Sequence, residues 1–205
     1  MAVERVSRSV TVESVNPTEA PTRRLFTVDE YYAMAEAGIL RPDERVQLIE
    51  GVIISMPSIG PRHAYNVSRV GKLILARLGD EVEVRFQNPI RLASGAEPEP
   101  DVAVVLVPAG GPQVYGERHP VAAETLLVIE VADSTLAFDL GEKALMYARA
   151  GIADYWVFDL AGHRIVVHRG PTAEGYASVD SVESGASIVP SAFPDIVFTA
   201  DEILG

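Results

Sequence analysis

The sequence contains no cysteine and no long apolar run. Without cysteine, the 205-residue chain cannot form disulfides, use a thiol nucleophile or bind zinc through thiolates. No segment approaches the ~20 consecutive apolar residues that a membrane-spanning helix needs. The stretch from Met1 to Pro17 interleaves arginine with glutamate and lacks the continuous apolar core of a secretory signal. We therefore expect a cytoplasmic protein that has no membrane partner.

Positive charge is also scarce. The chain has 17 lysines and arginines against 29 aspartates and glutamates, a formal net charge of −12, and its only lysines are Lys72 and Lys143. A surface this acidic repels phosphates. The charge therefore excludes the class of proteins that bind nucleic acid over their whole surface. The segment 62–91 is the exception, with six basic and three acidic residues. A localised site that neutralises its own carboxylates with metal ions is compatible with this charge.

Several common catalytic and nucleotide-binding signatures are missing. The sequence has no G-x-x-x-x-G-K-[ST], G-x-G-x-x-G, G-x-S-x-G or H-E-x-x-H pattern, which argues against phosphate loops, dinucleotide folds, serine hydrolases and zinc proteases of those types. It also has no internal repeat. Residues 1–24 are polar and lack periodicity, so we expect a flexible N-terminal tail or arm there, followed by a single domain over 25–205.

Hydrophobic periodicity and capping residues predict an α/β fold. A capping box at Thr27 and Glu30, with a stop at Gly38, predicts a helix over 28–37. Asp139 with Glu142 predicts a second capping box. The other expected elements are a hairpin around 50–51, a helix over 62–78, strands over about 82–92, 101–107 and 125–131, a helix over about 140–150, a hairpin around 161–162, and a loop, short strand and final turn over 172–205. This order predicts a partly antiparallel, mixed β-sheet flanked by helices.

Two carboxylates lie in unusual places. Asp101 begins the apolar strand DVAVVLV, and Glu130 lies near the end of TLLVIEV. If these strands are antiparallel neighbours, the start of one lies beside the end of the other, and the carboxylates converge into an oxygen-rich pair suited to Mg²⁺ or Mn²⁺. Alternatively, Asp101 only starts a turn and Glu130 reaches solvent at the strand end. Spacing alone leaves both interpretations open.

Lys143 is the third candidate residue. It lies in the first turn of the predicted helix, four residues after Asp139, and therefore near the end of the Glu130 strand. A lysine beside a metal-bound carboxylate can orient or deprotonate a water, or steady charge on a phosphate. The alternative is a surface ion pair with Asp139 worth about a few tenths of a kcal/mol. A first-turn lysine opposes the helix dipole, which mildly favours the functional interpretation.

Three segments resemble a single family. PEPD (98–101), LLVIEVADST (126–135) and DLGEKALMYARAGIADYWVFD (139–159) are similar to the Uma-type restriction-endonuclease family, part of the PD-(D/E)XK nuclease superfamily. The similarity runs from about residue 25 to residue 204. It implies a restriction-endonuclease-like fold in which Asp101 and Glu130 are metal ligands. It also implies that the catalytic lysine is Lys143, on the following helix rather than two residues after the glutamate.

The resemblance extends to residues around this trio. The family usually has a glutamate where this chain has Gln47, a neutral and weaker ligand, so whether one metal or two bind stays open. His63 matches a histidine at the start of the family's second helix. There it would contact a phosphate or a water, or it would only form hydrogen bonds within the protein at the N-terminal end of that helix. The further candidates are Arg62, Arg69 and Lys72 as phosphate or DNA contacts, Asp133 as an added carboxylate, and Asp139 and Tyr147 as supporting residues.

We therefore interpret the chain as a Mg²⁺- or Mn²⁺-dependent endonuclease that hydrolyses phosphodiester bonds of DNA. Asp101, Glu130 and the backbone carbonyl of Val131 would hold the metal, and Lys143 would orient the attacking water. A homodimer is expected by analogy, because cutting both strands of a duplex takes two sites. Two alternatives remain. One is a non-catalytic nuclease-fold module that binds a partner protein or nucleic acid, slightly favoured by Gln47 and the acidity; the other is a nuclease that acts on RNA.

Overall fold

The centre of the structure is a β-sheet built from the most apolar segments of the chain. A computed structural model describes residues 22–92 and 95–205, so the tail predicted over 1–24 lies almost entirely outside the described residues. Val102–Leu106 and Thr125–Ala132 form neighbouring central strands in which nearly all residues are buried. Continuous apolar runs of this kind are typical of strands covered on both faces.

The described helices and strands follow each other along the chain as a mixed α/β succession. The helices are α1 (Val28–Glu36), α2 (Pro61–Arg77), α3 (Leu136–Phe138), α4 (Ala144–Arg149) and α5 (Ala200–Leu204), with a π-helical turn (Asp139–Lys143) joining α3 to α4. The strands are β1 (Val46–Ile49), β2 (Val52–Ser55), β3 (Val82–Phe86), β4 (Val102–Leu106), β5 (Thr125–Ala132), β6 (Asp154–Asp159), β7 (Arg164–Thr172), β8 (Gly175–Val182), β9 (Ser187–Ile188) and β10 (Phe198–Thr199).

The main sheet has the order β3-β4-β5-β6-β7-β8. Its neighbours are antiparallel except for β5 and β6, which run parallel because the helical segment from α3 to α4 carries the chain back between them. Two separate pairs, β1–β2 and β9–β10, are also antiparallel. Each helix in residues 22–92 and 95–205 is too short or too polar to cross a lipid bilayer.

Alternation along β5 divides its side chains between two hydrophobic cores. Leu127, Ile129 and Val131 pack on the face covered by α2, α5 and the β9–β10 pair. Val128 and Ala132 pack on the opposite face, against α4 and the β1–β2 hairpin. Because strand side chains alternate with period two, Glu130 shares this second face with α4.

Several local predictions are confirmed. Thr27 caps α1 through a capping box with Glu30, as the sequence indicated. The β1–β2 hairpin turns at Glu50 and Gly51, both with positive φ (46° and 79°), which is the backbone of a tight two-residue turn. The inner face of α2 buries Val67, Val70 and Ile74. The hairpin between β6 and β7 is also present.

Three element predictions are wrong in ways that affect the site. The third strand ends at Phe86, because Gln87 has a positive φ of 48° and turns the chain out of the sheet. Asp139 is not a helix N-cap: the helical segment already begins at Leu136, and Asp139 is buried in the π-turn. Lys143 therefore lies well beyond the first helical turn, and the helix-dipole argument does not apply.

The C-terminal region contains more strand than the sequence indicated. The eight residues of β8 pair with β7 along the sheet edge, where a loop and one short strand were expected. Most β8 side chains are exposed, so serines and an aspartate occupy positions that would be apolar in a covered strand. Because this edge strand has a polar composition, the hydrophobic pattern of the sequence did not indicate it. The predicted start of the domain at residue 25 stays a prediction.

Asp154, at the start of β6, provides a test of the fold that is independent of the candidate site. Its fully buried carboxylate accepts hydrogen bonds from the Trp156 indole (2.8 Å), Arg169 Nε (3.2 Å) and the Ser191 amide (2.6 Å). We expect Asp154→Ala to lower the free energy of unfolding by about 3 kcal/mol, because three donors lose their acceptor. Urea denaturation measures this, with the exposed Asp195→Ala as the control. Equal midpoints for the two variants would contradict the prediction.

Candidate active site

Asp101 and Glu130 come together through strand pairing. Val102 of β4 pairs with Ile129 of antiparallel β5, which puts Asp101 beside the end of that strand. Asp101 Oδ2 accepts a hydrogen bond from the Val131 amide at 2.8 Å. Asp101 is 7% exposed and Glu130 is 3% exposed. The strands are thus the antiparallel neighbours that the first interpretation required, and the alternative in which Glu130 reaches solvent is wrong.

Glu130 is held by two donors from the helical segment that covers its face of the sheet. Its Oε1 accepts from Lys143 Nζ at 2.8 Å and from the Tyr147 hydroxyl at 3.0 Å. Lys143 is only 1% exposed, so a surface ion pair with Asp139 is excluded. Burial raises the pKa of Glu130 to about 8, although the positive charge of Lys143 opposes this shift.

Asp139 lies on the other side of Lys143. The Lys143 Nζ–Asp139 Oδ1 distance is 3.7 Å, and Thr135 Oγ1 donates to Asp139 Oδ2 at 2.5 Å. Asp139 is 2% exposed, and its Oδ1 has no hydrogen-bond partner among the described residues. Burial raises the pKa of this carboxyl also. The π-turn, a feature frequent at functional sites, thus places a lysine between two buried carboxylates.

His63, at the start of α2, bridges the two strands. Its Nε2 lies 2.9 Å from Asp101 Oδ1 and its Nδ1 lies 2.8 Å from the Val131 carbonyl oxygen. Both partners only accept hydrogen bonds here, so both ring nitrogens must carry protons and the ring is an imidazolium. The hydrogen bond to Asp101 accordingly raises the pKa of His63 against the opposing effect of burial. His63 therefore contacts the carboxylate and the carbonyl that the sequence identified as metal ligands.

Gln47 faces the same cavity from β1. It is 4% exposed, its Nε2 donates to the Glu99 carbonyl at 3.5 Å, and its Oε1 has no hydrogen-bond partner among the described residues. The cavity has a volume of about 70 Å³. Its polar lining consists of Arg45, Gln47, Ser58, His63, Gln87, Glu99, Asp101, Glu130, Asp133, Ser134, Thr135, Asp139 and Lys143.

Six polar residues of the lining were not candidates in the sequence analysis: Arg45, Ser58, Gln87, Glu99, Ser134 and Thr135. Gln87 Nε2 donates to Asp101 Oδ1 at 3.2 Å, and burial raises the pKa of Glu99. Gln87 follows the strand that ends early, and its position depends on a positive φ that no residue pattern indicates. Glu99 is two residues before Asp101. In an extended segment this spacing puts two side chains on the same side, so the sequence could have indicated that Glu99 lies near Asp101.

The basic candidates of α2 have different surroundings. Arg62 donates to Asp133 Oδ1 at 3.2 Å and to the Leu160 carbonyl at 2.5 Å. Arg69 donates to the Glu202 carbonyl at 2.8 Å and to the Ile203 carbonyl, at the end of the chain segment that forms α5. Lys72 is exposed. Their contact with phosphate or DNA stays a prediction.

The donor chemistry of the cavity fits a hard divalent cation. Asp101, Glu130 and the Val131 carbonyl offer oxygen ligands of the kind that Mg²⁺ and Mn²⁺ prefer. Gln47 Oε1 and Asp139 Oδ1 are buried oxygens that lack a hydrogen-bond partner within the described residues. No group of three acidic or histidine side chains in residues 22–92 and 95–205 forms a ready metal cluster. A cation would therefore use two carboxylates and the carbonyl, after His63 and Lys143 exchange their present hydrogen bonds.

Comparison with known proteins places this chain in a family. A crystal structure at 1.96 Å of "a putative nuclease belonging to DUF820" from Anabaena variabilis ATCC 29413 superposes with a TM-score of 0.69 and 17% sequence identity, covering 87% of this chain and 97% of that one. This confirms the predicted restriction-endonuclease-like fold class. No curated protein sequence matches the chain. The family model Uma2, described as "Putative restriction endonuclease", matches residues 28–201. The chain therefore belongs to the Uma2 family, as its three motif segments indicated.

Proposed function

We propose that the chain is a metal-dependent endonuclease that hydrolyses phosphodiester bonds of DNA. The observation that supports this most strongly is the convergence of Asp101, Glu130 and Lys143 on one buried cavity. The Uma2 match and the nuclease fold agree with the same chemistry. Metal-assisted hydrolysis needs oxygen ligands that hold the cation, which Asp101 and Glu130 offer here.

The proposed metal site consists of Asp101, Glu130 and the Val131 carbonyl. When bound there, Mg²⁺ or Mn²⁺ supplies Lewis-acid stabilisation of phosphate charge and acidifies a water molecule. Glu130 contributes a carboxylate that the strand register fixes in place. Gln47 adds a neutral oxygen from the facing hairpin, which supports a single tightly held ion rather than two.

Lys143 has a second acceptor available when Glu130 turns to a cation. Asp139 Oδ1 is 3.7 Å from Lys143 Nζ and has no hydrogen-bond partner among the described residues. A small movement of the ammonium group toward Asp139 keeps its charge paired in a buried site, where an unpaired charge is costly. From that position, Lys143 can orient a water or donate to a phosphate oxygen. Asp139 is then a positioning residue for the lysine.

His63 and Tyr147 have complementary roles. Once released from Asp101 and the Val131 carbonyl, the His63 imidazolium is a charged donor at the mouth of the cavity, suited to a phosphate oxygen. Tyr147 is fully buried and donates to Glu130 Oε1, so it fixes the orientation of that carboxylate. A homodimer, in which paired sites cut the two strands of a duplex, is part of the proposal.

Variants of the central pair test the activity. We expect Glu130→Ala and Lys143→Ala to reduce Mg²⁺-dependent cleavage of plasmid DNA by at least ~100-fold, since each removes a group that acts on the reacting atoms. Lys143→Met, which keeps the volume of the side chain, separates lost chemistry from lost folding. The matched control is Glu142→Ala, because Glu142 is the exposed neighbour of Lys143.

The same assay separates the alternatives. Equal cleavage by wild type and all three site variants contradicts the assigned residues. A wild type that binds Mn²⁺ but cleaves only RNA points to the ribonuclease alternative. A wild type that neither binds Mn²⁺ nor cleaves any substrate supports the non-catalytic module.

Metal binding should depend on pH. Burial raises the pKa of Glu130 to about 8, so protons compete with a cation for this carboxylate below that pH. The affinity for Mn²⁺ should therefore increase with pH, by about tenfold per unit below pH 8 for the one proton that Glu130 releases, and level off above it. Isothermal titration calorimetry in two buffers of different ionisation enthalpy measures the protons released. Constant affinity between pH 6.5 and 8.5 without proton release would contradict this.

The neutral ligand Gln47 offers a gain-of-function test. We expect Gln47→Glu to raise Mn²⁺ affinity by about tenfold, because affinity for hard cations follows the charge of the ligands. Without metal, the same variant should unfold at a lower temperature, since it buries another carboxylate beside Asp101 and Glu130. Gln113→Glu, at an exposed position, is the control. A Gln47→Glu protein with unchanged affinity would place Gln47 outside the metal site.

A further inference from the structure

One aromatic residue on the outer face of α2 is largely exposed. Tyr65 is 67% exposed, whereas the opposite face of the helix is buried at Val67, Val70 and Ile74. Tyr65 lies on the same helical stripe as three basic side chains, since residues three and four apart are neighbours on a helix. This basic-aromatic stripe consists of Arg62, Tyr65, Arg69 and Lys72.

Beside the stripe there is a groove of about 320 Å³. Arg62, Tyr65, Asn66, Arg69 and His163 form its polar lining, and Leu160 contributes an apolar side. Its volume is near the lower end of the range for small-molecule sites, which is enough for one nucleotide. The groove thus combines an exposed aromatic ring with guanidinium groups in a concave surface.

Part of the positive charge of the groove is not cancelled. Arg69 donates to two backbone carbonyls, those of Glu202 and Ile203, and among the described residues it forms no ion pair with a carboxylate. Arg62 is paired with Asp133 but remains more than half exposed. In a chain with a net charge of −12, an exposed basic stripe is a local attraction for anions.

The groove adjoins the candidate active site. Arg62 lines the groove and contacts Asp133, which lines the catalytic cavity. The next residue, His63, reaches into that cavity and contacts Asp101. A polymer with one phosphate in the cavity would therefore place its adjacent nucleotide over Tyr65.

We infer that this groove binds one unpaired nucleotide of a single-stranded nucleic acid, next to the bond that is cut, with its base stacked on Tyr65. This inference rests on the proposed nuclease function and narrows its substrate to a nucleic acid that is unpaired at the cut, in place of the intact duplex for which the paired sites of a homodimer were proposed. The bases of an intact duplex are covered on both faces by their neighbours, so an exposed tyrosine ring can stack only on a base that is unpaired or terminal. The guanidinium groups of Arg62 and Arg69 face the backbone phosphate.

Binding without metal tests this inference separately from cleavage. Fluorescence anisotropy in EDTA and low salt compares a labelled 12-nucleotide DNA, the RNA of the same sequence, and the DNA duplex. We expect Tyr65→Ala to weaken binding of the single strand by about fivefold or more, because a stacked base is lost. Tyr65→Phe, which keeps the ring, should bind as wild type does. Val179→Ala, at an exposed position of β8 rather than α2, is the control.

The outcomes are distinct. A Tyr65-dependent preference for single strands supports the inference, and any difference between the DNA and RNA arms then identifies the sugar. Equal binding by Tyr65→Ala and wild type, or tighter binding of the duplex that is independent of Tyr65, overturns it. If Tyr65-dependent binding is present but Mg²⁺ produces no cleavage, the proposed nuclease function fails while the binding groove stands.

Discussion

A carboxylate in the middle of an apolar strand must be paired, and the pair between Glu130 and Lys143 meets this requirement. It links β5 to the helical segment that carries the chain over to β6, so it joins the two central parallel strands through their connection. Removing one partner from a buried pair costs about 3–5 kcal/mol, yet replacing the whole pair with well-packed apolar residues is often neutral or stabilising. Packing alone therefore does not explain the pair, whereas the proposed metal site would.

Protonated side chains occupy the oxygens of the candidate metal site. Lys143 sits on Glu130, and the His63 imidazolium sits on Asp101 and the Val131 carbonyl. Oxygens that converge in a buried cavity repel each other unless positive charge lies between them. The positive charges of Lys143 and His63 thus stabilise the cavity without a metal. A metal ion would have to displace these two side chains from the oxygens that it binds. Asp139 Oδ1, 3.7 Å from Lys143 Nζ, is a second acceptor for the ammonium group of Lys143 when that group leaves Glu130.

Local signals in the sequence predicted much of the fold. Thr27 and Glu30 cap α1, and the apolar runs that follow Asp101 and contain Glu130 form strands, because capping boxes and apolar runs are short-range patterns. That these two strands pair as antiparallel neighbours was a condition that the sequence left open. The predicted capping role of Asp139 failed, since a buried carboxylate and a capping carboxylate have the same residue type in the sequence.

The contacts that were not predicted join residues far apart in the chain. His63 reaches β5 across 68 residues, and its bond to the Val131 carbonyl leaves no trace in composition or periodicity. Gln87 reaches Asp101 only because the chain leaves β3 with a positive φ. Tertiary geometry alone determines these contacts.

The net charge of −12 has a different meaning once the charges are located. Several of the acids, among them Glu97, Asp101, Glu130, Asp139, Asp154 and Asp159, are buried and most are paired with cations or backbone donors, so they contribute less to the field outside than a surface carboxylate would. The exposed basic stripe of α2 borders the cavity that holds three of these buried acids. Field lines from the stripe would therefore draw the phosphates of the proposed substrate toward the candidate site. Such a distribution favours weak, localised engagement of a nucleic acid over tight binding along its length.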